Sequence, residues 1–171
     1  MNEERNSNIG GMLRKKQINM PYYYSHKTPI GEIWIVEDNN YIVKIKYKID
    51  FHGMTKKETE LIKKTRQQLT EYFAGGRKNF DIPIKLTGTA FQRQVWTALQ
   101  TIPYGEVWSY KRLAEAVGSP KGYRAVGMAN NRNPISIIVP CHRVIGINGD
   151  LVGYAGGIDK KKYLLNIEQK K

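Results

Sequence analysis

The chain has a single cysteine, Cys141, and it stands in the tetrapeptide Pro140-Cys141-His142-Arg143. A cysteine reacts as its thiolate, and a neighbouring histidine or arginine favours that form. The chemistry on offer is that of a thiolate nucleophile at the end of a structural element. His142 adjoining Cys141 predicts a thiol more reactive than a free one. Residue type alone does not decide the matter, because a lone cysteine is more often an inert small hydrophobe and a lone histidine a satisfied structural one. The single cysteine also limits the outcome. A thioether is a poor leaving group and no second thiol exists to release it, so an alkyl group taken up by Cys141 stays there.

Several elements must position that tetrapeptide. The apolar run Ile135 to Val139 reads as a short strand that delivers the chain to Pro140. Upstream, Phe91, Val95, Trp96 and Leu99 form a helix stripe that ends before the turn Pro103-Tyr104-Gly105. Ser109 is placed to cap a helix from Tyr110 to Val117 stopped by Gly118, and Ser119 with Pro120 to open another through about Ala129. So tight a connection predicts a helix-turn-helix. Asp159 is placed to cap a final helix carrying Tyr163, Leu164 and Ile167.

Nearer the N-terminus, Tyr22 to Tyr24, Ile33 to Val36 and Tyr41 to Ile49 surround the turn formers Asp38-Asn39-Asn40 and predict a small antiparallel sheet. Thr55, three residues before Glu58, has capping-box spacing for a helix that Gly75-Gly76 stops. The expected class is α+β, with a sheet and one helix followed by a mostly helical lobe. The expected organisation is a disordered arm over residues 1–20, an N-terminal α/β lobe over 21–88 and a C-terminal lobe over 89–171, joined by a linker at Lys85 to Thr89.

Lysine and arginine number 28 against 15 aspartate and glutamate, a net charge of +13, so a polyanion is the first partner to consider. The excess is spread along the chain, with 16 basic and 10 acidic residues in 1–88 and 12 and 5 in 89–171. No apolar stretch approaches the roughly 18 residues of a membrane span, and the charged N-terminus lacks a signal peptide's apolar core. A cytoplasmic protein is expected. One cysteine excludes an intrachain disulfide, and with three histidines it excludes a multi-cysteine zinc site. Neither a phosphate-cradling Gly-Lys motif nor a dinucleotide fingerprint occurs, so no cofactor and no metal are expected.

Taken together, Pro140-Cys141-His142-Arg143-Val144-Ile145-Gly146, Arg124-Ala125-Val126-Gly127, Asn133-Pro134 and Tyr154-Ala155-Gly156-Gly157 resemble the O6-alkylguanine-DNA alkyltransferase family. The likeness runs continuously over residues 89–171. It implies direct repair of double-stranded DNA: the alkyl group on O6 of guanine, possibly also on O4 of thymine, passes irreversibly to Cys141. It further implies that a water relays the thiol proton to His142, that Glu168 orients His142, and that Asn133 braces the turn beside them. Tyr110, Val144, Tyr154, Ala155 and Gly156 match positions around the extruded base. Arg124 matches the finger that fills the gap in the stack, on a minor-groove face that takes in Ser119, Gly122, Tyr123 and Gly127. A monomer with no obligate protein partner is expected.

The residues leave alternatives open. Ala and Gly around Arg124 suit close approach to DNA and equally suit tight helix packing. Glu168 read alone is a solvated carboxylate. A non-catalytic helix-turn-helix protein accounts for the charge but not for Cys141, and a cysteine hydrolase accounts for Cys141 and His142 but lacks a clear oxyanion site.

Overall fold

The computed structural model describes residues 19–169. The arm expected over 1–20 therefore lies, apart from its last two positions, outside the described residues. Strands β1 (Tyr22–Thr28), β2 (Gly31–Asp38) and β3 (Tyr41–Lys46) form an antiparallel meander. Asn39 and Asn40, at φ 50° and 64°, make the two-residue turn between β2 and β3, a conformation asparagine tolerates better than most residues. A fourth, very short strand, β4 (Thr55–Lys56), runs parallel to β1 at the sheet edge.

Thr55 thus belongs to the sheet and is not a helix cap. Helix α1 (Glu60–Phe73) starts later, where Thr59 accepts from the Ile62 amide at 3.1 Å. The Thr59 hydroxyl also donates to the buried Glu37 carboxylate. That double use favours Thr59, whereas the Thr55-x-x-Glu58 spacing is a coincidence of composition.

Helix α2 (Ala90–Leu99) opens with a capping box between Thr89 and Gln92. A two-residue strand, β5 (Trp108–Ser109), leads into α3 (Tyr110–Ala116), capped by Ser109 as expected. Helix α4 covers Tyr123–Asn131, three residues later than the proline signal placed it. Pro120 occupies the second position of a β-turn closed by the Gly122 amide on Ser119 O at 2.8 Å. A Cβ on Gly122 would fall 2.2 Å from Ser119 Oγ, so a larger residue there would require the Ser119 side chain to turn away. The link between α3 and α4 is longer than the two residues expected.

The run Ile135 to Val139 does not form the expected strand. Ile138 N–H bonds back to Ser136 O at 2.9 Å and Ile137 sits at φ 74°, the geometry of a γ-turn. A β-branched residue in that region is strained and persists only where neighbours impose it. Asn133 imposes it: its Oδ1 accepts from Ile135 N at 2.9 Å and its Nδ2 donates to Val139 O at 2.7 Å.

Past this turn come a single 3-10 turn, Cys141–Arg143, and strand β6 (Val144–Ile145), which pairs parallel to β5. The final helix is α5 (Ile158–Gln169). Its buried residues are Lys161, Leu164, Leu165 and Glu168, with the expected Tyr163 and Ile167 partly buried against the core beside Leu164. Two of those four are charged, which conceals the face from a hydrophobicity reading.

One hydrophobic core runs through both halves, from Ile35, Ile45 and Leu69 to Val95, Leu113, Val126 and Leu164. The backbone joins the halves as well. Ile45 donates to Pro134 O at 2.9 Å and accepts from Ser136 N at 3.1 Å, seating the end of β3 against the Asn133 turn. No helix among the described residues is long and apolar enough to cross a membrane.

Candidate active site

Cys141 opens the 3-10 turn and is 4% exposed. Burial pushes its thiol up, while a hydrogen bond from Asn133 and the charges of Lys161 and Lys46 pull it back. Burial thus favours the thiol over the thiolate in the resting site. Consecutive side chains in a 3-10 turn diverge by about 120°, so His142 points away from Cys141, although the local chain is not extended.

His142 is fully buried, with Nε2 2.7 Å from Glu168 Oε1. Glu168, a solvated carboxylate when read alone and the partner of His142 by the resemblance, is buried and is the most heavily hydrogen-bonded group in the site. Its Oε1 accepts from Tyr72 Oη at 2.6 Å and Arg143 Nη2 at 3.0 Å, and its Oε2 from Arg143 Nε at 2.9 Å and Gly105 N at 3.3 Å. Burial alone would raise its pKa, but the bonds from His142 and Arg143 outweigh that and hold it at about 2. Glu168 is thus an acceptor only, and Nε2 of His142 must carry the proton. Burial lowers the imidazole pKa, keeping it neutral despite Glu168. With Nε2 protonated, Nδ1 has a bare lone pair and no protein partner among the described residues. The arrangement is a neutral imidazole held by a carboxylate at one nitrogen and able to accept a proton at the other.

Two lysines went unnoticed in the sequence. Lys161 is fully buried on α5 and donates to the carbonyls of Val144 and Val152, the latter at 2.9 Å. Burial lowers its pKa to about 8, against an upward pull from Cys141. Lys46, from β3, donates to Asn133 O at 2.5 Å. The spacing of Lys161, Leu164, Leu165 and Glu168 (i, i+3, i+4, i+7) was the signal that marks one inward face. No comparable signal points to Tyr72 or Lys46, which lie far from Cys141 in the sequence.

The other predicted residues form a second cluster. Tyr123, Arg124 and Met128 project from the exposed side of α4, Tyr123 and Met128 being 52% and 59% exposed. With Tyr110, Gly127, Val152 and Gly153 they line a cleft of about 430 Å³. Tyr110 Oη donates to Val152 O at 3.0 Å. The small residues of α4 divide between the two readings: Ala125 faces solvent, whereas Ala129 is buried and its carbonyl accepts from Trp96 Nε1 at 2.8 Å. Ser119 and Gly122 shape the turn before α4. Val144 lies buried next to Arg143. Tyr154 is buried over Cys141's side of the fold, Ala155 is exposed and Gly156 half-buried in the loop beyond.

Comparison with known proteins matches both halves of the chain. Residues 21–86 fit the family profile described as the 6-O-methylguanine DNA methyltransferase ribonuclease-like domain, and residues 90–170 that family's DNA-binding domain. A Bacillus subtilis protein named methylated-DNA–protein-cysteine methyltransferase, constitutive, is 48% identical over 88% of this chain and 96% of its own length. A Methanosarcina acetivorans methylated-DNA–protein-cysteine methyltransferase is 48% identical over 86% and 97%. The crystal structure of Mycobacterium tuberculosis OGT in complex with DNA superposes with a TM-score of 0.82 at 42% identity, over 86% of this chain and 92% of that one. The chain belongs to the 6-O-methylguanine DNA methyltransferase family.

Proposed function

We propose that this protein repairs DNA directly, by moving the alkyl group from O6 of guanine in a duplex to Sγ of Cys141. The observation that carries this is the buried His142–Glu168 pair, which leaves one imidazole nitrogen bare on the residue that follows the chain's one cysteine. In the reaction the thiol proton passes through a bridging water to His142 Nδ1. Sulfur attacks the alkyl carbon, the S–C bond forms and the C–O6 bond breaks. The electron pair goes to the base, which takes up a proton and leaves as guanine. Glu168 stabilises the imidazolium as it develops, and Asn133 holds the strained turn that presents Cys141. The product is a thioether, so each molecule acts once, as a monomer and without a cofactor.

O6 lies inside the paired stack, so the nucleotide must be turned out, at a cost of a few kcal/mol. Residues 89–171 form the DNA-binding and acceptor unit in this reading, with 21–88 packed behind it. The α3–α4 pair acts as the helix-turn-helix in the minor groove. Arg124 enters the stack from α4, flanked by Tyr123, Gly127 and the Ser119–Gly122 turn, and Tyr110 borders the opening. The carbonyl of Val144, the ring of Tyr154 and the backbone of Ala155 and Gly156 hold the base. The exposed apolar and basic surface of α4 supports that assignment.

The test is a duplex carrying one O6-methylguanine, mixed with limiting protein and digested to nucleosides. The expected result is loss of O6-methyldeoxyguanosine up to one equivalent per protein and then no more, and no loss with Cys141→Ser. Continued turnover, or loss of the methylated nucleoside with the Cys141→Ser protein, would refute the reading.

A further inference from the structure

One residue of the N-terminal half reaches the loop that covers the site. Tyr47 follows β3 directly, and β3 is anchored to the Asn133 turn through Ile45 and Lys46. Its hydroxyl lies 2.7 Å from that of Tyr154, and the two rings meet edge to face with centroids 6.1 Å apart. The ring also fills the space beside Gly156: a Cβ there would fall 2.4 Å from Tyr47 Cε2. Lys160, at the start of α5, stands over the same ring at 5.5 Å. Tyr47 thus holds the loop at two points, one polar and one steric, from a segment that the Asn133 turn keeps in register with Cys141.

We propose that Tyr47 sets the size of alkyl group the site accepts, by fixing Tyr154 and the Gly156 loop against outward movement. The inference rests on the alkyl-transfer reading above. A methyl group on O6 adds little volume beyond the base, whereas a benzyl group needs a ring-sized space next to Sγ. To make that space, Tyr154 or the loop must shift. Shifting Tyr154 breaks a half-buried hydroxyl pair, and the loop cannot move toward Tyr47 because the rings and Gly156 are already in contact. Burial pushes the Tyr47 phenol up to about 12 despite its bond to Tyr154, and negative charge on Cys141 adds to the rise. The hydroxyl therefore stays protonated and the tie persists through the reaction. Tyr47 is a positioning residue here, acting through Tyr154.

The experiment compares single-turnover rates on duplexes carrying O6-methylguanine and O6-benzylguanine for the wild-type, Tyr47→Phe and Tyr47→Leu proteins. Tyr47→Phe removes the hydroxyl tie and Tyr47→Leu removes the tie and most of the ring. The benzyl-to-methyl rate ratio is expected to rise a few-fold in Tyr47→Phe and about tenfold in Tyr47→Leu, the scale of one hydrogen bond and one packing contact. A ratio within twofold of wild type in the folded Tyr47→Phe protein, or a fall in both rates in parallel, overturns the proposal. Should Tyr47→Leu not fold, the Tyr47→Phe ratio decides alone. Failure of the wild-type protein to accept methyl at all would instead refute the transfer reading.

Discussion

Replacing Glu168 by glutamine tests the site at its most connected point, and the consequences can be worked out donor by donor. The carboxylate accepts from Tyr72, His142 and Arg143 on Oε1 and from Arg143 and Gly105 on Oε2. An amide must set its NH2 group at one of those two places. At the Oε2 position it would face Arg143 Nε–H and the Gly105 amide, and neither can accept. At the Oε1 position it still opposes Arg143, but Tyr72 can rotate to accept and His142 can change tautomer. The second arrangement should prevail, with the proton moved from Nε2 to Nδ1 of His142. The nitrogen that would take the thiol proton is then occupied. Transfer should slow by roughly 10²–10⁴, the usual worth of a general base. Arg143 also loses its counter-ion in a buried site, which costs about 3–5 kcal/mol of folding stability. Urea unfolding and single-turnover transfer from O6-methylguanine duplex read the two effects separately. Stability within 1 kcal/mol of wild type together with a rate within threefold would refute the assigned network.

Further outcomes follow from the same geometry. Tyr72→Phe removes one of five donors to a buried carboxylate and should cost about 1.5 kcal/mol in urea unfolding. A loss too small to measure would mean the cross-half bond is not formed. Glu168 has a folded pKa of about 2 against 4.5 in the unfolded chain, so its contribution is full above pH 4.5 and is lost as pH falls from 4.5 toward 2. On that scale the wild-type protein should lose on the order of 3 kcal/mol more than Glu168→Gln across the window, and parallel acid curves for the two would contradict the assignment. Arg124→Ala should slow transfer from duplex by roughly tenfold and transfer from the free base O6-benzylguanine far less, since only the duplex must be unstacked. Equal slowing on both substrates would remove Arg124 from base extrusion.

Cys141 and His142 were singled out in the sequence because they share the tetrapeptide Pro140-Cys141-His142-Arg143, whose family resemblance weighs against the inert reading that residue type alone favours. The meander was legible because the β-rich runs are punctuated by Asn39-Asn40, which the turn requires at positive φ. Glu168 was reached through the resemblance alone, and Lys161 was hidden, because charged residues on an inward helix face look like solvated ones until their three- and four-residue spacing from Leu164 and Leu165 is counted. The γ-turn at Ile137 was hidden by composition, since an apolar β-branched run favours a strand and only the two bonds of Asn133 turn it. Pro120 marked a turn where it was read as a helix start, because proline suits the second position of a β-turn as well as the first turn of a helix. Tyr47, Tyr72 and Lys46 could not be found by spacing at all. They reach the site through the pairing of β3 with the Asn133 turn and the packing of α1 on the core, contacts between residues far apart in the chain.

The most direct test of the central claim is the mass of the intact protein after mixing with a duplex that carries one O6-methylguanine, followed by peptide mapping. The account predicts the addition of a single methyl group, located on Cys141, ending at one per molecule and absent with undamaged duplex or with Cys141→Ser. Reduced, folded protein that gains no mass, or gains it on another residue, would contradict it.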